Sequence, residues 1–240
     1  MHFNHTLDTY NITTAEIVVP IIMEAFKPES VLDVGCGIGT WLSVFRDLGV
    51  KTVLGVDGDW VDRNLLRKFI EEEHFLSADL SYELNLSRKF DLVVSLEVAE
   101  HISEEFADNF VKSLVNHGDV IVFSAAIPLQ EGENHVNEQW PSYWIEKFAK
   151  FQLYPDNFIR RMIWDNESIE YWYRQNILVF TKAKPSKAIY DIVHPEPYLR
   201  KVSALKSKVD DIENGRVGAG YYLGILLKKI ERKIKYSGKQ

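Results

Sequence analysis

Between Val31 and Phe123 the sequence alternates short, almost wholly apolar runs with amphipathic segments, and this rhythm limits the fold more than any other feature. Val31–Val34, Thr52–Val56, Phe75–Ala78, Phe90–Ser95 and Val120–Phe123 read as strands, with helices expected over Thr40–Leu48, Val61–Glu72 and Glu104–Val115. Ser103 is placed to cap the third helix, and Gly49 and Gly118 suit positions just past helix ends. Strands that are apolar throughout belong in a parallel sheet covered by helices on both faces. Right-handed crossovers then leave a doubly wound, Rossmann-like α/β fold. Upstream, Thr13-x-x-Glu16 reads as a capping box, with Ile12 and Ile17 as its staple, before a helix over Thr14–Phe26 that Pro20 is expected to kink. After Ser124 the rhythm breaks into a polar loop over 127–139, and proline's missing N–H makes Pro141 a suitable helix start. Residues 158–163 and 176–181 read as an antiparallel edge hairpin, which brings the mostly parallel sheet to seven strands. The organisation expected is an N-terminal cap helix (1–27), a central domain (28–184) and a helical, basic C-terminal extension (185–240).

Composition narrows the chemistry. With 46% hydrophobic and 26% charged residues the chain can bury a core, and its one cysteine, Cys36, excludes an internal disulfide and a cysteine-built zinc site. No apolar run approaches the ~20 residues of a spanning helix. Met1–Tyr10 lacks the charged start and apolar middle of a signal peptide, so a cytoplasmic protein is expected. Net charge is −7, divided into −14 over residues 1–199 and +7 over 200–240, where 11 Lys/Arg face 4 Asp/Glu. An acidic body repels a phosphate backbone, so nucleic acid is not expected as a partner.

Asp33-Val34-Gly35-Cys36-Gly37-Ile38-Gly39 closes the first strand, where doubly wound sheets bind ligands. The dinucleotide fingerprint wants a small residue at position 40, but Thr40 stands there and the third glycine comes one place early. Asp33, two residues before the first glycine, is a poor neighbour for a pyrophosphate and a good one for a sulfonium and an ammonium. Asp57 ends the second strand, placed to take both ribose hydroxyls, and Asp79 closes the third beside Leu80, placed for an adenine amino group. Glu97 follows the fourth. These acids are 24, 22 and 18 residues apart, about one strand-helix unit each, so all four reach one rim.

In this order Asp33–Gly39, Asp57, Asp79-Leu80 and Phe90–His101 resemble the successive motifs of class I S-adenosylmethionine-dependent methyltransferases, over roughly residues 28–182. The resemblance implies S-adenosylmethionine as cofactor, with Asp33, Gly35, Cys36 and Gly37 at its methionine part and Asp57 with Gly58 at its ribose. It puts Asp79 and Leu80 at the adenine and Glu97 on the rim. Trp60 can stack on the adenine or pack onto its own helix. The stretch His135–Trp144 resembles one found in bacterial methyltransferases of surface-polysaccharide and sugar-nucleotide pathways, which implies O-methylation of a sugar or glycan.

A hydroxyl acceptor must lose its proton, and His101, His135 and Glu138 are the candidate bases. Asn137, Trp140 and Tyr143 are expected to orient the acceptor. Residues 140–180 hold 12 of the chain's 30 aromatics, which suits a small second core and a wall for a sugar ring or an apolar aglycone. A Mg²⁺-assisted variant through His101, His135 and nearby carboxylates is conceivable, but no tight ligand motif supports it and no metal is expected. Competing readings are methylation of another small molecule, a non-catalytic cofactor-binding module acting through its tail, and an NAD-linked oxidoreductase, which Asp33 and Thr40 disfavour.

In the tail, Tyr198, Val202, Leu205, Val209 and Ile212 step by 4, 3, 4 and 3, a two-heptad seam that can pair with a second copy or pack back on the body. Leu223, Leu226, Leu227, Ile230 and Ile234 form a second stripe among Lys228, Lys229, Arg232, Lys233 and Lys235. A basic amphipathic helix of this kind suits an anionic membrane surface or a partner.

Overall fold

The structure, a computed structural model, describes residues 12–184, 189 and 191–237. The expectation for Met1–Tyr10 lies outside them. The chain divides into two compact units, Met1–His194 and Pro195–Gln240.

The first unit contains β1 (Ser30–Val34), β2 (Thr52–Asp57), β3 (Phe75–Ser77), β4 (Leu92–Leu96), β5 (Ile121–Ser124), β6 (Tyr154–Asp156) and β7 (Leu178–Thr181) in one sheet ordered β3-β2-β1-β4-β5-β7-β6. Strands β1 to β5 pair in parallel, and β7 runs antiparallel to both β5 and β6. The chain winds outward from β1 to β3 and returns to β4, so the topology reverses between β1 and β4. The expected mixed, doubly wound sheet is therefore present. One apolar layer packs α1 (Thr13–Phe26), α2 (Thr40–Asp47) and α6 (Phe158–Ile163) against the sheet around Ile22, Val31, Phe45 and Val94. The other gathers α4 (Ala107–His117) and α5 (Pro141–Ala149) around Leu32, Phe110, Phe123, Trp144 and Phe148.

Several local expectations are corrected. Residues 158–163 form α6 rather than a strand, because the buried positions Ile159, Arg160 and Ile163 fall at helical spacing and Asp156 accepts the Phe158 N–H at 2.8 Å. The edge strand is instead Tyr154–Asp156, where Pro155 lacks a donor that an edge does not need. Residues 171–176 form α7 (Tyr171–Asn176), so the last strand begins at Leu178. The helix expected over Val61–Glu72 shrinks to α3 (Arg63–Leu66), followed by a tightened turn and a short 3₁₀ segment at Glu72–His74. Glu71, Glu72 and Glu73 stand where its negative end would fall, which opposes continuation. Helix α1 starts at Thr13 with Ile12 as N-cap and no side-chain cap bond, so the capping box does not form, and the helix runs on past an exposed Pro20. Ser103 makes no side-chain cap bond, and a 3₁₀ turn at Glu104–Phe106 precedes α4.

The second unit holds α8 (Pro195–Glu213) and α9 (Ala219–Ser237). Arg216 pairs with Asp210 and Asp211, and the Tyr222 hydroxyl donates to the Ile212 carbonyl at 2.7 Å, which closes the turn between the helices. Tyr198, Val202, Leu205 and Val209 are exposed, as are Leu223, Leu226, Leu227 and Ile230. The side chains of Arg232, Lys233, Ile234 and Lys235 lie outside the described ones.

Candidate active site

The tip of β1 turns sharply through Gly35, Gly37 and Gly39, all at positive φ. A methyl group on Gly35 would stand 2.2 Å from a Val98 methyl, so this position admits only glycine. The turn is stitched to β2 through the Gly35 N–H, which donates to the Val56 carbonyl at 2.7 Å. Asp57 completes it: one carboxylate oxygen accepts the Gly37 N–H at 2.8 Å and the other the Gly58 N–H at 2.6 Å. A carboxylate has about four acceptor sites. Asp57 can thus hold the loop and still receive ribose hydroxyls.

Beside the turn lies a cleft of about 350 Å³ lined by Asp33, Gly35, Cys36 and Thr40 on one side. Asp33 is 4% exposed, and burial first and the Asp57 charge second lift its carboxyl to about 8. Burial likewise pushes the Cys36 thiol up, so it is a packed thiol and not a nucleophile. A dry carboxyl facing a cleft, beside a backbone turn with no room for side chains, is a site for a cationic group brought close to the main chain.

The tip of β4 supplies the opposing chemistry. Glu97 sits at φ 54, and its carboxylate accepts from Asn176 Nδ2 at 3.1 Å and Gln130 Nε2 at 3.0 Å. Burial raises its pKa, as it does more strongly for Glu100, where Glu97 adds repulsion. The rings of His101 and His135 meet edge to face at 4.9 Å. Burial first, then His135, lowers His101 to about 4, so it is neutral at neutral pH. Its Nδ1 lies 3.3 Å from the Asn134 carbonyl oxygen. His135 Nδ1 lies 2.9 Å from Glu138 Oε1, and Glu138 also accepts the N–H groups of Leu129 and Glu131, both at 2.7 Å. Glu138 therefore fixes the loop and orients His135, and it does not line the cleft.

Tyr171, Trp172 and Tyr173 of α7, with Trp41 of α2, form an aromatic wall; the Trp41 and Tyr173 rings are 5.5 Å apart. Burial, Glu97 and Glu170 all push the Tyr173 hydroxyl upward, so it stays protonated. The Thr14 hydroxyl donates to Glu170 and ties α1 to this wall.

The structure thus brings Asp33, Gly35, Cys36, Glu97, His101 and His135 to one cleft. Asp57, Gly58, Trp60, Asp79 and Leu80 are outside its lining. The Trp60 indole lies over Gly58, against the first apolar layer, and the exposed Asp79 accepts the Ser81 N–H at 2.9 Å beside a buried Leu80. Asn137, Trp140 and Tyr143 are outside the lining too: Asn137 is buried, Trp140 is 38% exposed, and the Tyr143 ring lies under Lys147 Nζ at 4.6 Å. Sequence reasoning missed Trp41, Glu100, Gln130, Tyr171 to Tyr173 and Asn176. The aromatic cluster over residues 140–180 hinted at Tyr171 to Tyr173, and the carboxylates weighed beside His101 and His135 hinted at Glu100.

Residues 11–167 match the family described as "Methyltransferase domain". The chain belongs to this methyltransferase family. A curated relative, the ribosomal protein L11 methyltransferase of Thermosipho africanus (strain TCF52B), is 33% identical over 135 residues, 54% of this chain and 51% of the relative. This methyltransferase thus spans about half the length of the curated relative it matches. Among solved structures, the sugar N-methyltransferase KedS8 from Streptoalloteichus sp. ATCC 53650 superposes with a TM-score of 0.58 at 14% identity, covering 77% of this chain and 95% of that one. The small RNA methyltransferase HEN1 superposes at 0.51 with 15% identity, covering 74% of this chain and 26% of that one. At these identities the likeness is one of fold, and the fold hosts acceptors from sugars to RNA. The cofactor is S-adenosylmethionine. The buried Asp33 and the side-chain-free Gly35 turn fit its ammonium and its main-chain approach.

Proposed function

We propose that this methyltransferase O-methylates a hydroxyl of a sugar or glycan, with the acceptor against the Trp41 and Tyr171–Tyr173 wall. The observation that carries the reading is the imidazole pair at the β4 end of a cleft whose other end suits the cofactor. S-adenosylmethionine, when bound, supplies a methyl group on a sulfonium that is its own leaving group. Asp33, Gly35, Cys36 and Gly37 hold its methionine part, Asp57 and Gly58 its ribose, and Asp79 with Leu80 its adenine; Trp60 flanks the adenine end and Glu97 the rim. Within the chain, the remaining task is to orient a hydroxyl and receive its proton. His135 suits that task better than His101. Glu138 accepts from Nδ1–H and so assigns Nε2 as the proton acceptor, whereas His101 is held neutral as a weak base. Aromatic faces suit the apolar face of a sugar ring. The −14 balance of residues 1–199 supports a neutral acceptor over a phosphate backbone.

The test is methyl transfer to a panel of sugars and sugar nucleotides, with calorimetry of S-adenosylmethionine binding alongside. His135→Gln is expected to bind the cofactor as the parent does and to lose roughly 10²–10⁴-fold in turnover. Tight cofactor binding with no transfer to any hydroxylated acceptor would instead identify a non-catalytic binding module.

A further inference from the structure

The β4 end of the cleft contains more than a base requires. One ligand atom each from Glu100, His101 and His135 lies within 4.8 Å of the others, and all three residues line the cleft. Glu100 is fully buried, and its carboxyl lies against the buried Glu97 carboxyl, where the two repel. Two buried carboxyls side by side need a shared proton or a cation to offset their repulsion. The backbone around Glu100 is firmly placed, since its carbonyl accepts the N–H groups of Val136 and Asn137 at 2.9 and 3.0 Å. That pairing also holds the His135 loop against the end of β4.

The two imidazoles are presented in the manner of metal ligands. Such histidines direct one ring nitrogen at a carboxylate or carbonyl and coordinate through the other. Here His135 Nδ1 faces the Glu138 carboxylate and His101 Nδ1 faces the Asn134 carbonyl. Glu138 is itself fixed by two backbone N–H groups. Glu97, beside Glu100, is held by Gln130 and Asn176 and adds negative charge.

We propose that Glu100, His101 and His135 hold a divalent first-row transition cation. Two imidazole nitrogens favour such a cation over Mg²⁺, and three protein ligands on one side leave positions open toward the cleft. This replaces the sequence expectation of no metal. The inference deepens the hydroxyl-acceptor reading and rests on it for the cation's role: with the cation bound, His101 and His135 are its ligands and the cation acidifies an acceptor hydroxyl. The hydroxyl proton then passes to water or to the Glu97 carboxylate in the cleft lining, His135 serving as the base only in the cation-free chain.

The test is electron paramagnetic resonance titration of the full chain with Mn²⁺, without acceptor, together with calorimetry of S-adenosylmethionine binding. One Mn²⁺ per chain is expected, displaced by Zn²⁺ and far less readily by Mg²⁺. Glu100→Gln and His135→Ala are each expected to weaken Mn²⁺ binding at least tenfold while binding S-adenosylmethionine like the parent. Glu138→Gln, which leaves the ligands intact, is expected to weaken it by about tenfold. Should the parent chain bind the cofactor but take up neither Mn²⁺ nor Zn²⁺ stoichiometrically at millimolar supply, the cation is overturned and the hydroxyl-acceptor reading stands. The cation is equally overturned if both ligand variants bind Mn²⁺ as tightly as the parent. Stoichiometric uptake that those variants abolish, in a chain that methylates no hydroxyl, upholds the cation and overturns the acceptor reading.

Discussion

Asp33 is 4% exposed, and burial with the help of Asp57 lifts its carboxyl to about 8, so at neutral pH the free protein carries it mostly protonated. A bound ammonium favours the ionised form. Cofactor binding at pH 7 should therefore release close to one proton, which calorimetry in buffers of different ionisation enthalpy measures directly. The same shift sets a stability slope. A carboxyl whose folded pKa lies above its unfolded value stabilises the fold at low pH, and that contribution fades as pH rises from about 4 to about 8. The free protein is thus expected to melt lower at pH 9 than at pH 6, and the raised Glu97 and Glu100 act in the same direction. Asp33→Asn should flatten the slope and weaken S-adenosylmethionine at least tenfold, or about 1.4 kcal/mol. Unchanged affinity in that variant, with no proton release in the parent, would remove Asp33 from the cofactor site. Asp33, Glu97, His101 and His135 were legible because each stands at or near the end of a readable strand or in the loop after one. Asn176 was not, because it reaches Glu97 across 79 residues of chain, and no local pattern announces that partnership.

Local signals overruled periodicity in several elements, and most of those signals are visible afterwards in the sequence. Phe158–Ile163 reads as a strand, yet Asp156 and the one-and-four spacing of its buried residues make it a helix. Val61–Glu72 has helical periodicity, but its acidic run stands at the helix's negative end, so one turn survives. Helix α3 then depends heavily on its N-cap. Asp62 accepts the N–H groups of Asn64 and Leu65 at 2.7 and 3.2 Å, and four helical residues offer little else to hold the turn. Asp62→Ala is expected to cost about 1 kcal/mol in denaturant unfolding, whereas Asp62→Asn, which keeps a side-chain oxygen, should cost a few tenths. Equal costs for the two would mean that the buried Leu66 and Ile70 hold this segment and the cap does not.

Among the described residues, both apolar layers and the lining of the cleft belong to the first compact unit, and the basic stretch belongs to the second. The second unit leaves Leu199, Leu205, Leu223 and Leu226 each more than half exposed. Residues 200–240 carry +7, and among the described residues no helix is long and apolar enough to cross a membrane. Apolar stripes beside lysines, on helices too polar to span, have the physics of a surface-lying element that anionic lipid attracts by about 1 kcal/mol per basic residue near it. The tail is therefore expected to bind anionic vesicles. A chain ending at His194 should keep its melting temperature within a few degrees and bind S-adenosylmethionine within twofold of the full chain. It should not sediment with vesicles of one-third phosphatidylglycerol, to which the full chain binds at low salt and from which 0.5 M NaCl releases it. Equal sedimentation of the two chains would sink the membrane reading. Loss of cofactor binding on truncation would show instead that the tail is part of the catalytic fold, against the division into units from which the prediction starts.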